Sequence, residues 1–363
     1  MINFKINNID LVAENGETIY DAAKKAGISI PVLCHRDGVE HYSSCMVCLV
    51  KEKKSDKFIP SCSALIQEGM DIDTSGDEVI NLRKKSVELL LSEHRAECEA
   101  PCRVVCPEGY NIPLLNRYLA AGLTEKAVNL TLSEVGNKDI LCKDCPGYCE
   151  NACRRKKIDM PVSIRNIKLF ISESIKQLSP DDETAVQASV NEEETSIARS
   201  LPGKKKRFLS HIGKIEPQEL KEWLKECENF SYRSRSITDF NSASGESKSC
   251  MHCDCRAADD CRLRDLADEF LLKDPRGKLI NAPIFKKINQ TTGLVFENAK
   301  CIKCGLCVRI CEDSTEEPVL CFTNRGFISI ISEPLTEEFD NVLKVKYGEC
   351  INICPTGALS HYK

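Results

Sequence analysis

The chain has 363 residues, 42% of them hydrophobic and 29% charged, with a net charge of -5. That length supports two or three domains with cores of their own, and the small acidic excess leaves no electrostatic footprint for nucleic acid or an anionic membrane surface. The departure from ordinary composition is 23 cysteines, an odd number that cannot pair completely and too dilute for a secreted disulfide scaffold, where cysteine exceeds about 8–10% of a short chain.

From the N-terminus, INFKIN and IDLVAE alternate as two strands around Asn7-Asn8, and Glu17 to Lys25 reads as a helix ending before Gly27. Lys5, Asp10, Glu14, Glu17 and Asp21 interrupt the first 30 residues, so no signal-peptide core is expected there. No apolar stretch approaches the roughly 18 residues of a membrane span. The expected compartment is a reducing cytoplasm, where clustered thiols serve as metal ligands more often than as disulfides.

A first group of thiols, Cys34, Cys45, Cys48 and Cys62, is followed by DEVINLRKKSVELLLSEH, whose Val79, Ile80, Leu82, Val87, Leu90 and Leu91 recur at helical spacing. Between 95 and 177, short helices such as IPLLNRYLAAG alternate with two cysteine-rich runs. These are HRAECEAPCRVVCP (His94, Cys98, Cys102, Cys106) and LCKDCPGYCENAC (Cys142, Cys145, Cys149, Cys153). Residues 178–206 pass from an acidic to a basic block with no sustained apolar period, a linker composition. In PQELKEWLKECENF, Leu220, Trp223, Leu224 and Cys227 share a helix face, and a Ser-rich stretch over 231–249 follows. The basic runs Arg154–Lys157 and Lys204–Arg207 read as solvated faces, with docking of an acidic redox partner as the alternative.

The third thiol group is CMHCDCRAADDC, with Cys250, Cys253, Cys255 and Cys261. Its compact spacing suits a [4Fe-4S] cluster or tetrahedral zinc, and His252 within it is expected to face solvent. The fourth is the run Cys301, Cys304, Cys307 and Cys311, echoed near the C-terminus by KYGECINICPTGAL, where only Cys350 and Cys354 of a second run are present. Cys321 is a spare thiol between them. Neither G-x-G-x-x-G nor G-x4-G-K-[ST] occurs, so no nucleotide, flavin or nicotinamide site is expected.

With its strand–strand–helix opening, the first group resembles the β-grasp ferredoxin domain of the large iron–sulfur subunit of respiratory NADH dehydrogenase and of iron-only hydrogenases. The likeness runs over roughly residues 1–95 and into LLLSEH. It implies one [2Fe-2S] cluster on Cys34, Cys45, Cys48 and Cys62. The chain departs from that family at Met46, where arginine is usual.

Residues 94–175, above all CPGYCENAC and MPVSIRNIKLFI, resemble the double-cluster domain of the glutamate synthase small subunit and dihydropyrimidine dehydrogenase. The likeness implies two interleaved [4Fe-4S] clusters, one on Cys98, Cys102 and Cys153 and the other on Cys106, Cys145 and Cys149. His94 replaces the family's leading cysteine. LLLxxHxxxC also resembles a histidine-ligated cluster of the NADH dehydrogenase family, so His94 is the expected fourth ligand of the first. For the second, the family uses Glu or Gln where this chain has Lys168. An ammonium has no lone pair for iron, and Cys142 is expected instead.

In two-cluster bacterial ferredoxins the fourth cysteine of each run ligates the other cluster. Cys301, Cys304 and Cys307 therefore call for Cys354. The partner cluster would need Cys311 and Cys350 together with positions held by Lys344 and Tyr347, and its loss is expected. CFTNRGFISIISEPL between the runs resembles the NADH dehydrogenase and hydrogenase subunits.

The expected fold is α+β. A β-grasp [2Fe-2S] domain spans 1–75, a helical double [4Fe-4S] domain 76–177, and a polar linker 178–206. An amphipathic helix with a Ser-rich linker follows over 207–249, then a Cys-rich metal motif over 250–275. A ferredoxin-like domain over 276–363 keeps one [4Fe-4S] cluster. These resemblances imply one [2Fe-2S] and three [4Fe-4S] clusters, and the spacing at Cys250–Cys261 allows a fourth [4Fe-4S] or a zinc ion. Such a chain is expected to relay single electrons between a separate flavin- or NAD(P)H-binding subunit and a further redox subunit, with no catalytic residue of its own. The alternatives are a self-contained iron–sulfur reductase or sensor, and a zinc-stapled scaffold.

Overall fold

The computed structural model describes residues 1–40, 42–94, 98–135, 141–176, 215, 217–226, 235–257, 261–272, 285–311, 319–325 and 328–362. The expected linker over 178–206, the basic run Lys204–Arg207 and Cys227 lie outside them. Helices and sheets are mixed, and the chain divides into two units. The first draws on residues within 1–96 and 259–362, and the second on residues within 97–258.

The first unit opens with the hairpin β1 (Ile2–Ile6) and β2 (Ile9–Ala13), paired from Ile2↔Ala13 to Ile6↔Ile9. Its two-residue turn needs positive φ at both positions, and Asn7 and Asn8 adopt φ of 50° and 69°. Asparagine tolerates that region because its short polar side chain bonds locally. Helix α1 (Ile19–Lys25) is capped by Thr18, whose hydroxyl accepts from the Asp21 amide at 3.1 Å. Strands β3 (Leu49–Glu52), β4 (Lys57–Pro60) and β5 (Asp71–Asp73) complete a sheet of order β2-β1-β5-β3-β4, parallel only between β1 and β5. Phe4, Ile6, Ile19, Ala23, Val50 and Ile72 fill its core. Helix α2 (Asp77–Glu93) follows.

The second unit is helical among its described residues, with α3 (Pro101–Val104), α4 (Ile112–Ala120), α5 (Thr124–Val135), α6 (Tyr148–Asn151), α7 (Ile164–Lys176), α8 (Pro217–Glu226) and α9 (Phe240–Ser247). Tyr110, Leu115, Leu119, Ile167 and Ile171 form its core. Helix α9 occupies part of the stretch that the serine content suggested was a linker. A capping box explains the difference: Asp239 accepts from the Ser242 amide at 2.7 Å, and Ser242 accepts from the Asp239 amide at 3.1 Å. The helix then packs on α4, where the Ser247 hydroxyl donates to Asn116 Oδ1 at 3.0 Å in a buried setting.

The chain returns to the first unit through α10 (Arg262–Glu269), β6 (Lys286–Ile288), β7 (Leu294–Glu297), α11 (Leu306–Arg309), β8 (Cys321–Thr323), β9 (Ile330–Ser332), α12 (Tyr347–Ile353) and β10 (Leu359–His361). Strands β10-β7-β6 form one antiparallel sheet and β8-β9 a two-stranded ribbon. One core joins the two halves of this unit: Leu33, Cys34, Cys45, Val87 and Leu91 pack with Leu263, Ile302, Cys304, Leu306 and Ile353.

Candidate metal centres

In the first thiol group, sheet register does the positioning. Cys48 immediately precedes β3, Cys62 lies two residues beyond β4, and Leu49 pairs with Pro60. The Cys48 thiol therefore reaches Cys62 Sγ at 3.2 Å. Hydrogen bonding from Cys45 and Cys62 holds the Cys34 thiol well below the ordinary range, while the same contacts with Cys34 push Cys45 and Cys62 up. All four residues are buried. Four such thiols can share negative charge only with a cation among them, the chemistry a [2Fe-2S] core supplies. Met46, at φ 53°, is half exposed beside them. Sequence reasoning missed Arg83, a buried guanidinium on α2 that donates Nε to Leu49 O at 2.8 Å, next to Cys48.

In the C-terminal part of this unit, a cavity is lined by Cys301, Cys304, Cys307 and Cys354, with Pro355, Phe296 and Leu306 among its apolar walls. Burial pushes Cys304 and Cys307 up, so neutral thiols or metal-bound thiolates are the favoured states. Lys303, at φ 53°, turns its amide onto Cys301 Sγ at 3.4 Å. The two remaining cysteines of the broken run, Cys311 and Cys350, sit sulfur to sulfur at 3.2 Å, fully buried among Phe339, Val342 and Leu343. Cys321 is half-buried on β8.

In the second unit, burial pushes Cys142 and Cys149 up, with Cys106 and Cys145 acting on Cys142, and Cys142 and Cys106 on Cys149. Lys168 is buried on α7, with Nζ 3.7 Å from Cys106 Sγ and 4.7 Å over the Tyr110 ring. Burial pulls the ammonium down, but Cys142 and Cys106 outweigh that and hold it above an ordinary lysine. The position used by the related family for a carboxylate or carboxamide thus holds a cation aimed at sulfur.

Cys102, half-buried, is influenced by Cys250, Cys153, Cys253 and Cys149, whereas Cys98 packs with Cys255, whose amide donates to Cys98 O at 3.2 Å. His94 and Cys261 belong to the first unit. His252, expected in solvent, is buried at φ 49°, because its amide turns inward onto Cys250 Sγ at 3.4 Å. The basic run Arg154–Lys157 is tied internally rather than presented as a free face. Arg155 pairs with Asp159 and donates to Ser249 O, Lys156 is buried, and Lys157 lies 4.6 Å over the Trp223 ring.

Among the described residues, no three or more His, Cys, Asp or Glu side chains gather closely enough to chelate a single ion. Cluster ligands instead surround several irons and the sulfides between them. Among the described residues, no helix is long and apolar enough to cross a membrane.

Three family models match the chain: a 2Fe-2S iron-sulfur cluster binding domain over residues 1–77, dihydropyrimidine dehydrogenase domain II with its 4Fe-4S cluster over 81–179, and the ferredoxin-like domain of NADH-quinone oxidoreductase subunit 3 over 294–360. Among curated proteins, NADPH-Fe(3+) oxidoreductase subunit alpha of Geobacter sulfurreducens is 27% identical over 157 residues, covering 40% of this chain and 18% of that protein. The mitochondrial NADH-ubiquinone oxidoreductase 78 kDa subunit of Candida albicans is 33% identical over 96 residues, covering 26% and 13%. NADP-reducing hydrogenase subunit HndD of Solidesulfovibrio fructosivorans is 28% identical over 167 residues, covering 41% and 28%. The chain thus spans less than a third of the length of these relatives. A solved NAD+-reducing [NiFe]-hydrogenase, in the H2-reduced state, aligns at a TM-score of 0.49 and 14% identity, over 99% of this chain and 87% of that one. The chain is accordingly built from iron–sulfur domains of [2Fe-2S] and ferredoxin-like [4Fe-4S] type, with homologues among NADH-quinone oxidoreductase and hydrogenase subunits.

Proposed function

We propose that the chain is a multi-cluster electron-transfer subunit of an oxidoreductase complex, passing single electrons between a flavin- or NAD(P)H-binding partner and a further redox subunit. One observation carries this reading. Cys34 of the first group and Cys304 of the C-terminal group share a core, and Cys304 lies within electrostatic reach of Cys34. Two separately matched iron–sulfur domains thereby bring cysteines to the same apolar interior, an arrangement suited to a relay.

Cys34, Cys45, Cys48 and Cys62 would hold a [2Fe-2S] cluster, and Cys301, Cys304, Cys307 and Cys354 a [4Fe-4S] cluster. Cys106, Cys142, Cys145 and Cys149 would hold another in the second unit. Bound clusters supply one-electron chemistry, while conversion to the two-electron hydride of NAD(P)H is the work of a flavin. The protein's part is to exclude water and aim donors at sulfur, as the Lys303 amide and the Lys168 ammonium do.

The test is recovery of the tagged chain from native extract without oxygen, followed by flavin analysis and NAD(P)H reduction. The expected result is a complex that contains flavin and whose clusters bleach with NAD(P)H, while the isolated chain does not respond. A tight complex with no flavin and no second redox subunit would overturn the assignment.

A further inference from the structure

Cys102, Cys153, Cys250 and Cys253 come from three separate segments of the second unit, and specific bonds hold those segments together. Arg117 on α4 grips Asp254, the residue after Cys253, through two bonds of 2.8 and 2.9 Å. Arg155, two residues beyond Cys153, donates to Ser249 O, next to Cys250. Cys102, Cys153 and Cys250 all pack against the same buried core. The Cys250–Cys253 loop also repeats the geometry of the Cys301–Cys304 loop. In each C-x2-C the third residue is left-handed (His252 at 49°, Lys303 at 53°), and its amide points at the first sulfur at 3.4 Å. A side chain other than glycine is uncommon at such φ, so the shared turn marks a shared task of donating to a ligand sulfur.

We propose that Cys102, Cys153, Cys250 and Cys253 together hold one [4Fe-4S] cluster. The 4Fe-4S domain matched over 81–179 would then be completed by a C-x2-C pair that lies outside the match. This grouping draws one ligand from each of the two cysteine-rich runs over 94–153 and two from the third thiol group, and leaves His94, Cys98, Cys255 and Cys261 outside it. It rests on the iron–sulfur reading above.

The test counts iron and sulfide in full-length protein made and kept without oxygen, for C102S, C250S and the double variant C102S/C250S. If both residues ligate one cluster, each single variant loses about four irons and the double loses no more than either. A double loss of about eight irons, or no loss in C250S, overturns the grouping. Loss of zinc rather than iron and sulfide also overturns it.

A second measurement needs no variant. Wild-type protein is treated with a limiting iron chelator and then iodoacetamide, and alkylation is followed peptide by peptide. Cys102, Cys153, Cys250 and Cys253 are expected to become reactive in step. Release of Cys250 and Cys253 with Cys255, apart from Cys102 and Cys153, refutes the grouping. Absence of iron and sulfide from the untreated chain would instead sink the electron-transfer reading, so the two failures are distinguishable.

Discussion

The Arg117–Asp254 pair makes a quantitative prediction for the second unit. Asp254 is buried and Arg117 nearly so, at 6% and 11% exposure, and they meet in a two-bond fork. Removing one partner of a buried pair strands a charge and costs about 3–5 kcal/mol, while replacing both by apolar groups is often neutral. R117M and D254L are each expected to destabilise by that amount, and R117M/D254L to recover most of it. Urea unfolding without oxygen, followed through Trp223, the chain's only tryptophan, reads the effect. Trp223 reports on this unit because its indole donates to Ala152 O at 3.1 Å. With slopes of about 1–3 kcal/mol per molar urea, the single variants should lower the midpoint by about 1 M or more. Single changes within about 0.5 kcal/mol, the range of ordinary surface sites, or a double variant that costs the sum of the singles, would refute this reasoning.

K168M removes a buried positive charge beside Cys106. The reduced, more negative cluster should be harder to form, by at least about tenfold in the reduction equilibrium, or about 59 mV for one electron; EPR potentiometry checks this. C311A/C350A should leave the iron content unchanged, whereas C354S should lose about four irons, because Cys311 and Cys350 face apolar side chains and Cys354 lines the four-cysteine cavity. Glu52 accepts from the amides of Ser55, Lys54 and Asp71, and its interactions with Ser55 above all lower its pKa from 4.5 to about 2. The stability it adds is complete above pH 4.5 and disappears as pH falls toward 2. Urea midpoints of wild type and E52Q should therefore differ at pH 7 and converge through that window.

The hairpin, α1 and α2 were legible because their signals are local: alternation around Asn7-Asn8, a threonine cap, and a helical apolar stripe. Four thiols of the first group come from one short stretch and were equally readable. The helix over Phe240–Ser247 was hidden because serine content suggests a linker, and the capping box of Asp239 and Ser242 had to be noticed instead. Cys250 and Cys253 read as half of their own motif, and spacing in sequence does not reveal that Arg117 and Arg155 fasten their loop within the second unit. Burial of His252 follows from a left-handed turn that composition does not reveal.

Iron and acid-labile sulfide quantification, with an EPR redox titration of protein kept anaerobic from lysis onward, tests the electron-relay assignment most directly. One [2Fe-2S] and three [4Fe-4S] clusters predict about fourteen irons, with as many sulfides and several one-electron signals. A chain that carries zinc instead, or no metal, would contradict it.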